Sequence, residues 1–214
     1  MNDPLIDTLA AGLEPVRRRR FSYWIATGVG AGLAVGALAF WLAPDLAVRP
    51  DIGTAILDIP FWMKVAFTLT IAIVGSFGLL RLVRPSGRSK ALIWIPPAIW
   101  AVFALMAARD LATHPVDLWG ARILGETALR CVTYIALISV PILAVLTLVV
   151  RSGAPTELTQ AGWALGLAAG GMSATIYALG CPEASPVFLI VWYALGIALA
   201  GAAGALGGRY LLRW

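Results

Sequence analysis

Residues 131–150 read CVTYIALISVPILAVLTLVV, twenty positions without an Asp, Glu, Lys, Arg or His. A helix rises 1.5 Å per residue, so a run of this kind covers the hydrocarbon core of a bilayer, which takes roughly 20 apolar residues. Five further apolar stretches flank it, at 21–43, 61–80, 91–108, 160–179 and 187–206. The whole chain has 214 residues, 60% of them hydrophobic and 13% charged, with a mean hydropathy of +0.87. Soluble domains carry about 25% charged residues, so this composition has no aqueous fold to hide in. The expected fold is therefore all-α, an integral membrane bundle of six transmembrane helices. Six spans use up nearly all of the length, which excludes a Rossmann, P-loop or DNA-reading domain despite a pI near 9.7. Pro44, Pro50, Pro60, Pro85, Pro115, Pro155, Pro182 and Pro186 punctuate the gaps between the stretches, as loops require.

Orientation follows from Lys and Arg, whose excess marks the cytoplasmic side. Eleven fall on one side: Arg17, Arg18, Arg19, Arg20, Arg81, Arg84, Arg88, Lys90, Arg151, Arg209 and Arg213. Five fall on the other: Arg49, Lys64, Arg109, Arg122 and Arg130. Both termini are thus expected in the cytoplasm. The apolar run after Arg18, Arg19 and Arg20 is too long for the core of a cleaved signal peptide and reads as a first span. Tyr23, Trp24, Trp41, Trp62, Trp119 and Trp214 fall at the span ends, where amphipathic aromatics settle at the headgroups.

Transmembrane helices associate through close packing, which small residues at every fourth position permit. Gly28, Gly32 and Gly36 line the first span, Gly162, Gly166 and Gly170 the fifth, and Gly196, Ala200, Gly204 and Gly208 the sixth. Helices 1, 5 and 6 are expected to pack on these faces, within one chain or across a homodimer. Pro96, Pro97 and Pro141 interrupt the third and fourth spans and are read as shaping the bundle.

The spans are read as free of ionisable groups, with Lys64 assigned to the outer boundary. Intramembrane charges mark ion and substrate pathways, so a pump or secondary transporter is not expected. The single His114 cannot supply an H-E-x-x-H pair and reads as a loop histidine. No cofactor and no direct nucleic-acid contact are implied. The two cysteines are the sharper signal. Cys131 opens the fourth span and Cys181 follows the fifth, so charge counting puts both thiols at one depth on the oxidising side, where disulfides persist. Such a pair suits redox chemistry or transient binding of a soft metal ion. A membrane thiol oxidoreductase and a small-solute channel are the rival readings; the first lacks a second thiol pair for relay.

Residues 1–20 form a separate cytoplasmic segment ahead of the 21–214 membrane domain. Leu5, Ile6, Leu9, Leu13 and Val16 recur at helical spacing, while Asp3, Asp7 and Glu14 are the only charges before Arg17. Helices that rest on lipid carry Lys and Arg along their polar face. This acidic face suits a groove with a basic rim on a soluble partner.

The tail Leu5-Ile6-Asp7-Thr8-Leu9 through Leu13-Glu14-Pro15-Val16-Arg17-Arg18, the loop Arg151-Ser152-Gly153-Ala154-Pro155-Thr156, the run Tyr177-Ala178-Leu179-Gly180-Cys181-Pro182-Glu183 with Phe188 and Trp192-Tyr193, and the closing Gly208-Arg209-Tyr210-Leu211-Leu212-Arg213-Trp214 together resemble the NrsF family of membrane anti-sigma factors. The resemblance covers nearly the whole chain. It implies a non-enzymatic regulator that sequesters an extracytoplasmic-function sigma factor of the sigma-F type through Leu5, Ile6, Asp7, Leu9, Leu13, Glu14 and Val16. It further implies release when oxidative or heavy-metal stress is sensed at Cys131 and Cys181.

Overall fold

The computed structural model describes residues 18–83, 91–153 and 155–213. Its regular structure is all helical, and six long helices dominate: α1 (Arg18–Leu42), α2 (Ile59–Leu82), α3 (Ala91–Ala112), α4 (Ala128–Arg151), α5 (Leu158–Tyr177) and α6 (Pro186–Leu211). Short helical turns at Ile52–Ala55, Val116–Leu118 and Trp119–Leu124 fill the two longer connections. Pro60 sits in the first turn of α2 and Pro186 in that of α6, positions where a missing N–H costs nothing. α3 continues through Pro96 and Pro97, and α4 through Pro141. α6 begins with one α turn, passes through a π segment at Leu189–Tyr193, and becomes regular at Ala194.

α5 is the axis of the bundle, buried along almost its whole length, with α2, α4 and α6 packed around it. α1 lies mainly on α4, and α3 on α2 and the start of α6. Five segments are long and apolar enough to cross a membrane: Ser22–Leu42, Ile59–Leu82, Trp94–Ala112, Val116–Arg151 and Pro186–Leu211. These have the length and composition of a multi-pass membrane protein. α5 is not among the five. It is rich in Gly and Ala and is packed against other helices along nearly all its length, so the oily exterior demanded by lipid is not demanded of it.

Glycine positions report how closely the helices approach. A Cβ on Gly162 would collide with the Gly204 carbonyl oxygen, and one on Gly166 with the Ala200 carbonyl and, at 2.5 Å, the Gly201 Cα. The fifth and sixth helices therefore touch backbone to backbone, in antiparallel register, on the small-residue faces read from the sequence. The first helix departs from that expectation. Gly28 is filled by Val149 of α4 and Gly32 by Ile142, while Gly36 receives both Ile142 and Ile176 of α5. Its glycines act as sockets for branched side chains, chiefly of α4. A second backbone contact, between Gly75 of α2 and Ala168 of α5 and between Gly171 and Ala72, carries no repeating signature in the sequence.

The expectation of a charge-free interior fails at Lys64. It lies in the second turn of α2, inside the 61–80 stretch, and is 4% exposed. A lone charge near the end of an apolar run looks like a boundary marker, whereas neighbouring helices and the loop after α5 close over this one.

Candidate functional site

Cys131 and Cys181 belong to one buried cluster with Ile135, Tyr177, Phe188, Leu189 and Tyr193. Their exposures are 0% and 1%, and both thiols are free. Cys131 sits in the first turn of α4, its N–H donating to the Thr127 carbonyl at 2.8 Å. Cys181 follows the end of α5, its N–H donating to the Tyr177 carbonyl at 3.2 Å. It opens the irregular strap 181–185 that leads into α6. The Tyr193 hydroxyl, on the π segment, is buried without a hydrogen-bond partner among the described residues, and Cys181 is a polar neighbour facing it. π segments inside helices concentrate at functional sites.

The strap has few bonds of its own, and Lys64 supplies what it lacks. The Lys64 Nζ donates to the Cys181 carbonyl at 2.9 Å and to the Glu183 carbonyl at 2.7 Å. Buried carbonyls must find donors, and one ammonium serves two of them. Removing it would leave both unsatisfied, at about 1–3 kcal/mol each. Thr68, one turn along α2, donates to the Lys64 carbonyl at 2.9 Å and receives a bond of the same length from Thr175 of α5. The lysine is thereby fixed on a helix that is itself tied to the axis.

The Glu183 side chain holds the other edge of the strap. Its Oε1 accepts from the Glu126 N–H at 2.8 Å and from the Thr127 hydroxyl at 3.2 Å, immediately before the helix that carries Cys131. A carboxylate is favoured at that end of a helix by its exposed N–H groups. Gly125 makes room for it. With φ of +54° and ψ of −166°, the residue occupies a region open almost only to glycine, and a Cβ there would stand 2.7 Å from the Glu183 carboxyl carbon.

The segment after α1 closes the cluster from a third side. Arg49 N–H donates to the Leu179 carbonyl at 3.1 Å, and Arg130 and Tyr134 donate to Asp45 at 3.0 and 3.2 Å. The Arg49 guanidinium hydrogen-bonds Asp51 at 2.7 and 2.5 Å, which holds that carboxyl below its ordinary range and raises Arg49. Lys64, Glu183, Arg49 and Asp58 line a cavity of about 40 Å³ beside the strap, room for about one water molecule.

Among the described residues no group of three or more His, Cys, Asp and Glu could hold a metal ion, so metal capture at Cys131 and Cys181 would rest on two thiolates alone. His114 hydrogen-bonds the Asp110 carbonyl at 2.7 Å, beside an Arg122–Asp110 ion pair, as an ordinary loop histidine does. Leu5, Ile6, Asp7, Leu9, Leu13, Glu14 and Val16 lie outside the described residues. The structure thus brings the two cysteines together and adds Lys64, Glu183, Gly125 and Tyr193, which sequence reasoning missed. Of these, Lys64 stands inside an apolar run and Glu183 and Tyr193 within the stretches that carry the family resemblance, whereas Gly125 gave no signal there.

Residues 9–214 match the family described as NrsF, negative regulator of sigma F. The chain is 36% identical, over 99% of its own length and 99% of the relative's, to the anti-sigma-F factor NrsF of Caulobacter vibrioides. It is equally similar, with the same coverage, to the probable anti-sigma-F factor NrsF of Azospira oryzae. No solved structure matches it.

Proposed function

Since the chain belongs to the NrsF family of negative regulators of sigma F, which are regulators and not enzymes, we propose that it holds a sigma-F-type extracytoplasmic-function sigma factor inactive at the inner membrane and releases it when its thiol pair reacts. In this reading α1 to α6 all span the membrane, both termini are cytoplasmic, and Leu5, Ile6, Asp7, Leu9, Leu13, Glu14 and Val16 contact the sigma factor. Cys131 and Cys181 lie at the opposite end of the bundle, toward the periplasm.

The observation that carries the sensing half is the meeting of the chain's two cysteines in one buried cluster. Joining them as a disulfide removes two electrons and two protons, which reduce a peroxide to two waters. A soft divalent cation would instead take both thiolates and displace two protons. The disulfide draws the two sulfurs together and the cation adds volume between them, so either product repacks a tightly packed cluster at the junction of α4, α5 and α6, and packed interiors transmit such strain. Binding follows from the tail, whose apolar stripe with an acidic flank suits a helix-in-groove contact.

The test is a sigma-F-dependent reporter in cells carrying variants of the full chain. Leu9→Asp with Leu13→Asp is expected to abolish repression without stress. Cys131→Ser and Cys181→Ser are each expected to keep repression and lose induction by cadmium or peroxide. Full induction of either serine variant would end the sensing claim.

A further inference from the structure

The thiols are sealed as well as paired. A sensor must meet its reagent, yet Cys131 and Cys181 are 0% and 1% exposed. Side chains of α2, α4, α5 and α6 surround them, and the strap 181–185, which carries Cys181 itself, completes the enclosure together with the segment after α1. That strap is irregular backbone. Two of its carbonyls depend on Lys64, and its one carboxylate is held by the Glu126 N–H and the Thr127 hydroxyl. All of these are side-chain hydrogen bonds between separate elements, of the kind that water can replace one at a time. By contrast, α5 cannot leave α2 or α6 without parting backbone contacts at Gly75, Gly162 and Gly166.

We infer that Lys64 and Glu183 are positioning residues that latch the 181–185 strap over the two thiols and so set the rate at which reagents reach them. The inference rests on the thiol reading above and concerns access alone, so it stands or falls separately from sigma-factor release. Lys64 joins α2 to the strap, Glu183 joins the strap to the start of α4, and Cys131 and Cys181 lie on the two elements so joined. Local opening of this kind draws on segments held by few bonds and little apolar contact. The small cavity that Lys64, Glu183 and Arg49 line in part gives water a foothold beside the latch.

Alkylation by N-ethylmaleimide tests it, followed at each cysteine by mass spectrometry on the full chain in membrane vesicles. Lys64→Met is expected to speed modification of both thiols by about tenfold or more, as loss of two charge-assisted bonds implies. Lys64→Arg, which keeps a cation and several donors, is expected to return the rate to within about threefold of the parent chain. Glu183→Ala is expected to accelerate alkylation as well, and decides the matter if Lys64→Met does not fold. Amide exchange at residues 162–170 is expected to be unchanged in each variant. Parent-like alkylation in Lys64→Met, or in Glu183→Ala where the former is not recovered, would overturn the latch. So would acceleration accompanied by loss of protection at 162–170, which would mean that the whole bundle had loosened.

Discussion

The two halves of the bundle are held by different physics. Toward the ends bearing Arg81, Arg151 and Arg209, α5 meets α6 through Gly162, Gly166, Gly204 and Gly208 with backbone against backbone. At the opposite end, side chains reach across to loop carbonyls: Lys64 to Cys181 and Glu183, Arg130 to Asp45, and Trp192 to Ile123 at 2.7 Å. The first kind of contact has no alternative partner, because a close-packed backbone surface can only separate. The second can trade each bond for water. The thiols lie at the end held by side-chain bonds.

The contrast can be broken most violently from the shaft. Gly166→Leu puts a branched side chain where the Ala200 carbonyl and Gly201 Cα already stand, and a loss of about 3 kcal/mol or more is expected, read as failure to recover monodisperse protein in detergent. Gly125→Ala tests the polar end. It forces an unfavourable backbone region and drives a methyl group into the Glu183 carboxylate. The expected cost is about 1–3 kcal/mol, read as a lowered melting temperature together with faster alkylation of Cys131. If Gly125→Ala lowered the melting temperature and left alkylation unchanged, Glu183 would have no part in sealing the thiols.

The smallest effect is expected at Arg49 and Asp51. The pair is partly exposed, with Asp51 about half accessible, and such pairs contribute little. Its sign is nonetheless fixed. The Arg49 guanidinium hydrogen-bonded to Asp51 holds its carboxyl below the ordinary carboxylate range, so the pair's contribution is present above that range and is lost as pH falls through the lower, folded value. Asp51→Asn should flatten the acid limb of a melting-temperature profile and leave neutral pH nearly unmoved. A neutral-pH shift as large as that of Gly125→Ala would mean that the segment after α1 matters more to the polar end than its bonds suggest.

Much of the shaft was legible in the chain. The stretches 131–150 and 160–179 lie within a few residues of Ala128–Arg151 and Leu158–Tyr177, because apolar runs and prolines mark helices of membrane length directly. The α5–α6 contact was legible for a similar reason, since Gly162, Gly166 and Gly170 repeat at helical spacing. Gly75 and Gly171 were not, because each shares its face with an alanine three residues away, Ala72 and Ala168, and no glycine recurs at every fourth position there. The destination of the α1 glycines was also hidden: a small residue announces room and does not say whether a backbone or an Ile142 side chain fills it. At the site, the cysteines stood out by rarity. The charge of Lys64 sits near the end of an apolar run, where it reads as a boundary marker, and only the fold shows that its partners are carbonyls more than a hundred residues away.

The account turns on thiol chemistry at one end controlling a protein held at the other. Vesicles bearing the full chain and a bound sigma-F-type factor, treated with peroxide, should release that factor into the supernatant, while vesicles bearing Cys131→Ser with Cys181→Ser should retain it under the same treatment. Equal release from both would contradict the account, as would retention by the parent chain after mass spectrometry had shown both of its thiols fully oxidised.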